Sequence, residues 1–389
     1  MKPRVLIVGT AYAIREHRKK LPYLARDFTL TCVTAEQCGG VGWMESAGDD
    51  VSKDYRFIGL PIGGASVPGT RCWYRGLSKV FRDGEYDLIL VENEPWGVLR
   101  WQCWFLKLVF QRSAVFGEFT WENIVRRGWK GFVLPAIYRA AAFTGSYAVG
   151  GNRDAAALMM RFGSSPDATA CIPQFGVDPA IFSPLSESQR REARRHAGLP
   201  EDGFLIAYCG RFVPEKGLGD LLDAFQLLPK APHDLCLLMM GTGELEHEIR
   251  TAAGRDARIR LCPPSTYPEI AAFLQMLDML VLPSRTQAGP GICWKEQFGH
   301  ILVEAMACGV VTVGSDSGAI PEVLGDDDVL FPERDVAALA ALIQSFAQNR
   351  EHAQAVGASH RARVIAHYSH ERVAAGWREF FHKCIKVPT

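Results

Sequence analysis

Long hydrophobic runs are missing from this 389-residue chain. The N-terminal stretch MKPRVLIVGT is too short an apolar run for a secretion signal, and no later segment approaches the length of a bilayer span. The expected location is therefore the cytoplasm, either in solution or peripherally on the inner face of a membrane. Excess charge of one sign is also missing. The 43 Lys and Arg balance the 43 Asp and Glu, which removes the main argument for a nucleic-acid partner, because binding a phosphate backbone usually requires a basic surplus. Paired cysteines are absent as well: the count of 11 is odd and no CxxC step occurs. Neither a disulfide framework nor a zinc site is expected, and no other metal or resident cofactor is called for. There is no repeat of solenoid period and no low-complexity tract.

What is present is a double series of short apolar runs. The first holds VLIVG (5–9), FTLTCVT (28–34), DLILVE (87–92) and SAVFGE (113–118). The second holds FLIAYCG (204–210), LCLLMMG (235–241), RIRLC (258–262), DMLVLPS (278–284) and VVTVGS (310–315). Runs this uniformly apolar suit parallel strands covered by helices on both faces. Helical spacing appears between them: Leu218, Leu221, Leu222, Phe225 and Leu228 share a face, and Ala271, Leu274 and Leu277 do so more weakly. The length also favours two domains over one. The expected fold is α/β, with two doubly wound Rossmann-like domains. The Pro-rich IPQFGVDPAIFSP (172–184) resists regular structure and reads as the connection. The expected boundaries are 1–172, a linker over 173–184, a second domain over 185–365, and a C-terminal helical segment over 366–389.

Ligands of open α/β sheets bind beyond the carboxyl ends of the strands, so the residues after each run carry the chemistry. After FLIAYCG comes RFVPEKG, where Arg211 and Lys216 flank a Pro-containing turn. Two such cations can hold a diphosphate, Arg as a fork and Lys as a point charge; a solvated turn is the plain alternative. GTGELE (241–246) offers Gly241 for close backbone approach, or for nothing more than a tight turn, and it lacks the third glycine of a dinucleotide fingerprint. CPPSTYPE (262–269) makes a rigid loop in which Pro264 and Ser265 can face a planar base. In EQFGHILVEAMACG (296–309), Gly299 marks a helix start and Gly309 its stop. The unpaired N–H groups at that start form an anion site. Glu304, one turn inside, then suits the hydroxyls of a ribose, and Glu296, just before the helix, those of a sugar. The plain alternative is a loop acid and a glutamate on a polar helix face.

Taken together and in order, GRFVPEKG, GTGELE, LVLPS and EQFGHILVEAMACGVVTVGSDSGAIPEVL resemble the retaining glycosyltransferases of family 4, which have the GT-B fold: two Rossmann-like domains facing a central cleft. The likeness covers nearly the whole second domain and reaches the linker. It implies transfer of a sugar from a UDP- or GDP-linked donor to a hydroxyl acceptor, a glycan, a lipid-linked sugar or a small molecule, without a metal. It implies that Arg211 and Lys216 contact the diphosphate, that Glu304 contacts the ribose, and that Glu296 and the backbone of Phe298, Gly299 and His300 contact the donor sugar. Arg211, Lys216 and Glu296 are then the catalytic candidates. Gly318 and Glu322 match the family too and are assigned to structure. The resemblance also implies that the C-terminal helix crosses back to the N-terminal domain.

The first domain departs from the pattern. Where many family members carry a histidine, this chain reads FGEFTWEN, with Glu118. Glu118, His17 and Arg15 of REHRKK, and Glu94 of DLILVENEP are the candidates for acceptor or cleft contacts. Aromatic and basic residues mix in WQCWFLKLVFQR (101–112) and RRGWKGFVLPAIYR (126–139), a pattern that suits either a core or a membrane interface. Rival readings are a GT-B nucleotide-sugar epimerase and a non-catalytic nucleotide-sugar-binding protein.

Overall fold

The computed structural model describes residues 1–36, 53–64, 69–126, 128–230, 235–263, 266–289 and 293–386. It contains two compact units, Met1–Gly176 with His370–Thr389, and Val177–Ser369.

Unit 1 is built on strands Arg4–Gly9 (β1), Thr29–Ala35 (β2), Arg56–Leu60 (β3), Leu88–Glu92 (β6), Val115–Thr120 (β7), Tyr147–Gly150 (β8) and Thr169–Cys171 (β9). Ile62–Gly63 (β4) and Trp73–Tyr74 (β5) form a separate antiparallel pair. The seven-stranded sheet has the order β3-β2-β1-β6-β7-β8-β9, and its pairings are parallel. Both faces are covered, which is why β1 is apolar at every position from Val5 to Val8. Side chains alternate across a strand, so Val5 and Ile7 join one core with Leu88, Leu90 and Phe28. Leu6 and Val8 join the other with Ile89, Val91 and Phe116, beneath Leu99, Cys103 and Leu106 of the Val98–Phe110 helix. The C-terminal helix His370–Lys386 belongs to unit 1: Val373, Trp377, Phe380 and Phe381 enter the Val5 core. Trp377 is fully buried and its indole N–H donates to the Pro173 carbonyl at 2.9 Å; replacing such an anchor with Ala typically costs about 3–5 kcal/mol.

Unit 2 holds Phe204–Cys209 (β10), Leu235–Met240 (β11), Ile259–Cys262 (β12), Met279–Leu282 (β13), Val311–Ser315 (β16) and Leu330–Phe331 (β17). The short pair Gln287–Ala288 (β14) and Cys293–Trp294 (β15) lies in the loop after β13. The six-stranded sheet has the order β12-β11-β10-β13-β16-β17 and is parallel. All six residues of β10 and of β11 are buried. The Leu218–Leu227 helix buries Leu218, Leu221, Leu222 and Phe225 along the face that the spacing predicts. Strands β3, β8, β9 and β17 are additional to the two apolar series. Three of them are short or carry mixed exposure, and β8 is a four-residue Tyr-Ala-Val-Gly strand with little apolar bulk.

Candidate functional site

The carboxyl ends of β10, β13 and β16 bring several candidates of unit 2 together. Beyond β10 the chain enters a single 3-10 turn, Pro214–Lys216, and then Gly217 in the left-handed region (φ 66°). A Cβ on Gly217 would collide with the carbonyl oxygen of Pro283, the residue after β13, so glycine is needed for the turn to press against the neighbouring strand end. This fixes Lys216. Its Nζ stands 2.5 Å from Glu296 Oε2 and 4.8 Å from the centre of the Trp294 ring. Ser284 Oγ donates to the same carboxylate oxygen at 2.7 Å, and Ser315 Oγ donates to the Ser284 carbonyl at 2.6 Å. Burial pushes the Glu296 carboxyl up, but the Lys216 charge, hydrogen bonds from Lys216 and Ser284, and the Gln297 amide outweigh it, leaving the group below the usual range. The two residues that the family likeness assigns to separate parts of a donor thus form one buried ion pair. Eighty positions separate them in the chain, and nothing local in the sequence signals the contact.

The helix behind Glu296 runs His300–Ala307, with Gly299 as its N-cap (φ 70°) and Gly309 left-handed after it (φ 72°). Glu304 is buried and accepts from, or pairs with, His300 Nδ1 at 3.1 Å. Its position relative to the sheet is visible in two thiols: Cys209, last in β10, and Cys308 are each pushed up to about 12, first by burial and then by the Glu304 charge. Phe298 is buried in an edge contact with Tyr368, 5.7 Å between centroids, so its side chain packs rather than binds.

Other candidates stand differently. Arg211 is held by its backbone, whose carbonyl accepts from Tyr208 Oη at 2.8 Å, while 57% of its side chain is exposed and its guanidinium lies 3.8 Å from Glu215. The structure does not join it to the Lys216–Glu296 pair. At Gly241 (φ 150°) the space for a Cβ is filled by the Gly210 carbonyl, and at Gly243 (φ 154°) by that of Phe212. Here the GxG step serves the packing of two loops on each other. Gly318 (φ 56°) likewise makes room for the Glu296 backbone, whose carbonyl accepts from Ala319 N at 3.0 Å. Pro264 and Ser265 lie outside the described residues. Among the described residues no group of three His, Cys, Asp or Glu is arranged to hold a metal ion.

In unit 1, Glu118 corrects the expectation of an acceptor-facing acid. Period-two alternation puts it on the same face of β7 as Phe116, under the Val98–Phe110 helix. There its carboxylate accepts from Arg100 Nε at 2.8 Å, both side chains being essentially inaccessible. Arg100 also donates to the Ala141 carbonyl and the Thr144 hydroxyl, each at 2.8 Å. The small cavity that Glu118 touches is lined by Gly145, Ser146 and Tyr147, at the amino end of β8, away from the carboxyl edge. His17 stacks on Phe175 with centroids 3.7 Å apart, and Arg15 is exposed.

Glu94 does sit at the carboxyl edge, accepting from the Thr120 hydroxyl and from Trp121 N at 3.2 Å. Burial and the neighbouring Glu122 push it up to about 7. Glu122 is clasped by Arg126 through two hydrogen bonds of 3.0 and 2.8 Å. Sequence reading singles out neither Glu122 nor Lys20. The WEN step of FGEFTWEN is the only hint of the former, and Lys20, the last cation of REHRKK, is buried against Glu92 at 3.1 Å instead of lying on a surface helix. Glu92 also accepts from Tyr12 Oη at 2.5 Å and Gln174 Nε2 at 2.6 Å.

With this geometry in view, residues 189–363 match the family described as glycosyl transferases group 1. The match lies within unit 2 and takes in less than half of the chain. The chain is 30% identical over 226 residues to the D-inositol 3-phosphate glycosyltransferase of Jonesia denitrificans, covering 51% of each chain. Over 198 residues it is 31% identical to the GDP-mannose-dependent monoacylated alpha-(1-6)-phosphatidylinositol monomannoside mannosyltransferase of Corynebacterium glutamicum, covering 50% of this chain and 51% of that one. It spans about half the length of these curated relatives. Its structure resembles that of sucrose-phosphate synthase from Thermosynechococcus elongatus, with a TM-score of 0.73 over 98% of both chains at 19% identity. That likeness is one of fold: the chain has the GT-B architecture of two Rossmann-like parallel sheets.

Proposed function

We infer that the protein moves a sugar, with retention of configuration and without a metal, from a nucleotide diphosphate sugar to a hydroxyl of a glycan or lipid-linked acceptor. The observation that carries this reading is the Lys216–Glu296 pair beside the N-terminus of the helix that bears Glu304. Lys216 is 14% exposed and keeps donors beyond the one that Glu296 takes. A diphosphate reaching this edge meets that ammonium and the N-terminus of the His300–Ala307 helix, both of which favour negative charge. As the bond to the sugar breaks, charge grows on the leaving diphosphate, and these fixed donors stabilise it without reorganising. Arg211 adds a second cation by swinging in from solvent. Glu304 accepts from the ribose hydroxyls, and Glu296, kept ionised by Lys216 and Ser284, accepts from a hydroxyl of the sugar. The leaving phosphate takes the acceptor's proton on the same face, so no protein base is assigned. GDP-mannose, the donor in the name of the Corynebacterium relative, is a natural first donor to test.

The experiment is a thermal-shift screen of nucleotide sugars followed by product analysis. A ligand that binds only the folded state raises the melting temperature. Stabilisation by one donor, and transfer with retained anomeric configuration in the presence of a chelator, are expected. Inverted product, or loss of transfer in chelator restored by a divalent ion, contradicts the reading.

A further inference from the structure

Two neighbouring helices of unit 1 carry their apolar side chains outward. The Val98–Phe110 helix buries Leu99, Cys103 and Leu106 in the core, yet its opposite face presents Val98, Phe105, Leu108 and Val109, with Phe105 61% exposed. A helix that is apolar all round is not a normal surface helix of a water-soluble domain. The Trp129–Thr144 helix repeats the pattern: Tyr138 and Ala141 are buried, while Phe132 and Phe143 are 84% and 90% exposed. Arg100 ties the two helices together through Ala141 and Thr144. An exposed apolar area of this kind marks a contact surface.

Charge identifies the partner. From Val98 to Thr144 the only acids are Glu118 and Glu122, and both are buried. The other charged side chains of this stretch are all cations, Lys107, Arg112, Lys130 and Arg139 among them. A second copy of the chain meeting this face by two-fold symmetry would set these cations against themselves. An anionic lipid surface accepts both the cations and the apolar side chains. At 13 and 16 residues the helices are about 20 and 24 Å long, shorter than the roughly 30 Å hydrocarbon core, so they suit lying on a bilayer. Among the described residues no helix is long and apolar enough to cross one. Both helices start just after the carboxyl ends of β6 and β7, beside Glu94 and Glu122.

We propose that the outward faces of Val98–Phe110 and Trp129–Thr144 dock on an anionic membrane surface, placing the Glu94–Glu122 edge of unit 1 at the level of a lipid-linked acceptor's head group. The docking surface stands on its own observations; the acceptor half of the statement rests on the glycosyltransferase reading.

The test is flotation of the full chain with vesicles of phosphatidylcholine alone and of phosphatidylcholine with phosphatidylglycerol, alongside size-exclusion light scattering and a thermal-shift measurement with GDP-mannose and UDP-glucose. Wild type should float with the anionic vesicles and not with the neutral ones. The Phe105→Ser/Phe132→Ser/Phe143→Ser variant should lose flotation while keeping the wild-type melting temperature and donor shift. Lys107→Ala and Arg139→Ala should each weaken vesicle binding about fivefold, and added salt should do the same. Equal flotation of wild type and the Phe variant overturns the proposal, as does no flotation of wild type, or a wild-type dimer that the Phe variant dissociates. Flotation with no stabilisation by any nucleotide sugar leaves the surface standing and removes the transferase reading; the reverse removes the surface alone.

Discussion

Lys216 Nζ lies 2.5 Å from Glu296 Oε2, an ion pair that joins residues 80 positions apart in the chain. On the proposed reading a diphosphate shares Lys216 with Glu296. Lys216→Ala should lower transfer about 10²- to 10³-fold, the size of effect seen when one preorganised donor to a developing anion is removed. Steady-state rates on a saturating acceptor check this, and unchanged rates would contradict it.

The same pair has a pH signature. Because Glu296 is held below the usual carboxylate range, its contribution to stability is complete above the unfolded pKa of about 4.3 and is lost as pH falls through the lower folded value. Glu296→Gln should therefore unfold at a more nearly constant temperature between about pH 5 and pH 3 than wild type does. Melting curves across that range check it; parallel curves for the two proteins would contradict it.

Glu94 has the opposite sign. With its carboxyl raised to about 7 by burial and Glu122, the stabilisation from its protonated form is whole below about 4.3 and is lost as pH rises through 7. Glu94→Gln should melt higher than wild type at about pH 8 and converge with it near pH 4. A variant less stable than wild type at the alkaline end would show that ionised Glu94 is supported by its hydrogen bonds.

Arg100 and Glu118 test the corrected reading of β7. Arg100→Met alone leaves a buried carboxylate without a counter-charge and should cost about 3–5 kcal/mol, much of which the double replacement Arg100→Met/Glu118→Leu should restore. Chemical denaturation of the set measures this. Donor binding by a folded Glu118→Leu/Arg100→Met protein should match wild type, since the pair lies beneath a helix and not at the carboxyl edge.

The parts of this fold that are legible in the sequence are those in which burial is continuous. β10 and β11 read directly because every residue of each is covered on both faces, and Gly299 and Gly309 bracket their helix because both adopt left-handed backbone. The edge strand β17 offers two residues and no pattern. Partners far apart in the chain are the other hidden class. Nothing in the sequence joins Glu118 to Arg100, Lys20 to Glu92, or Lys216 to Glu296 until the topology folds them together. At Gly241 the sequence leaves open why glycine is needed, and the structure supplies one reason: the Gly210 carbonyl fills the space a Cβ would take.

The central claim is that Lys216, the N-terminus of the His300–Ala307 helix and Glu304 hold one nucleotide diphosphate. Isothermal titration of UDP and of GDP into wild type, Lys216→Ala and Glu304→Gln tests it most directly. One nucleotide should bind wild type and be weakened at least tenfold in each variant, a loss of about 1.4 kcal/mol or more, while both variants remain folded. Equal affinity in all three proteins would contradict the account.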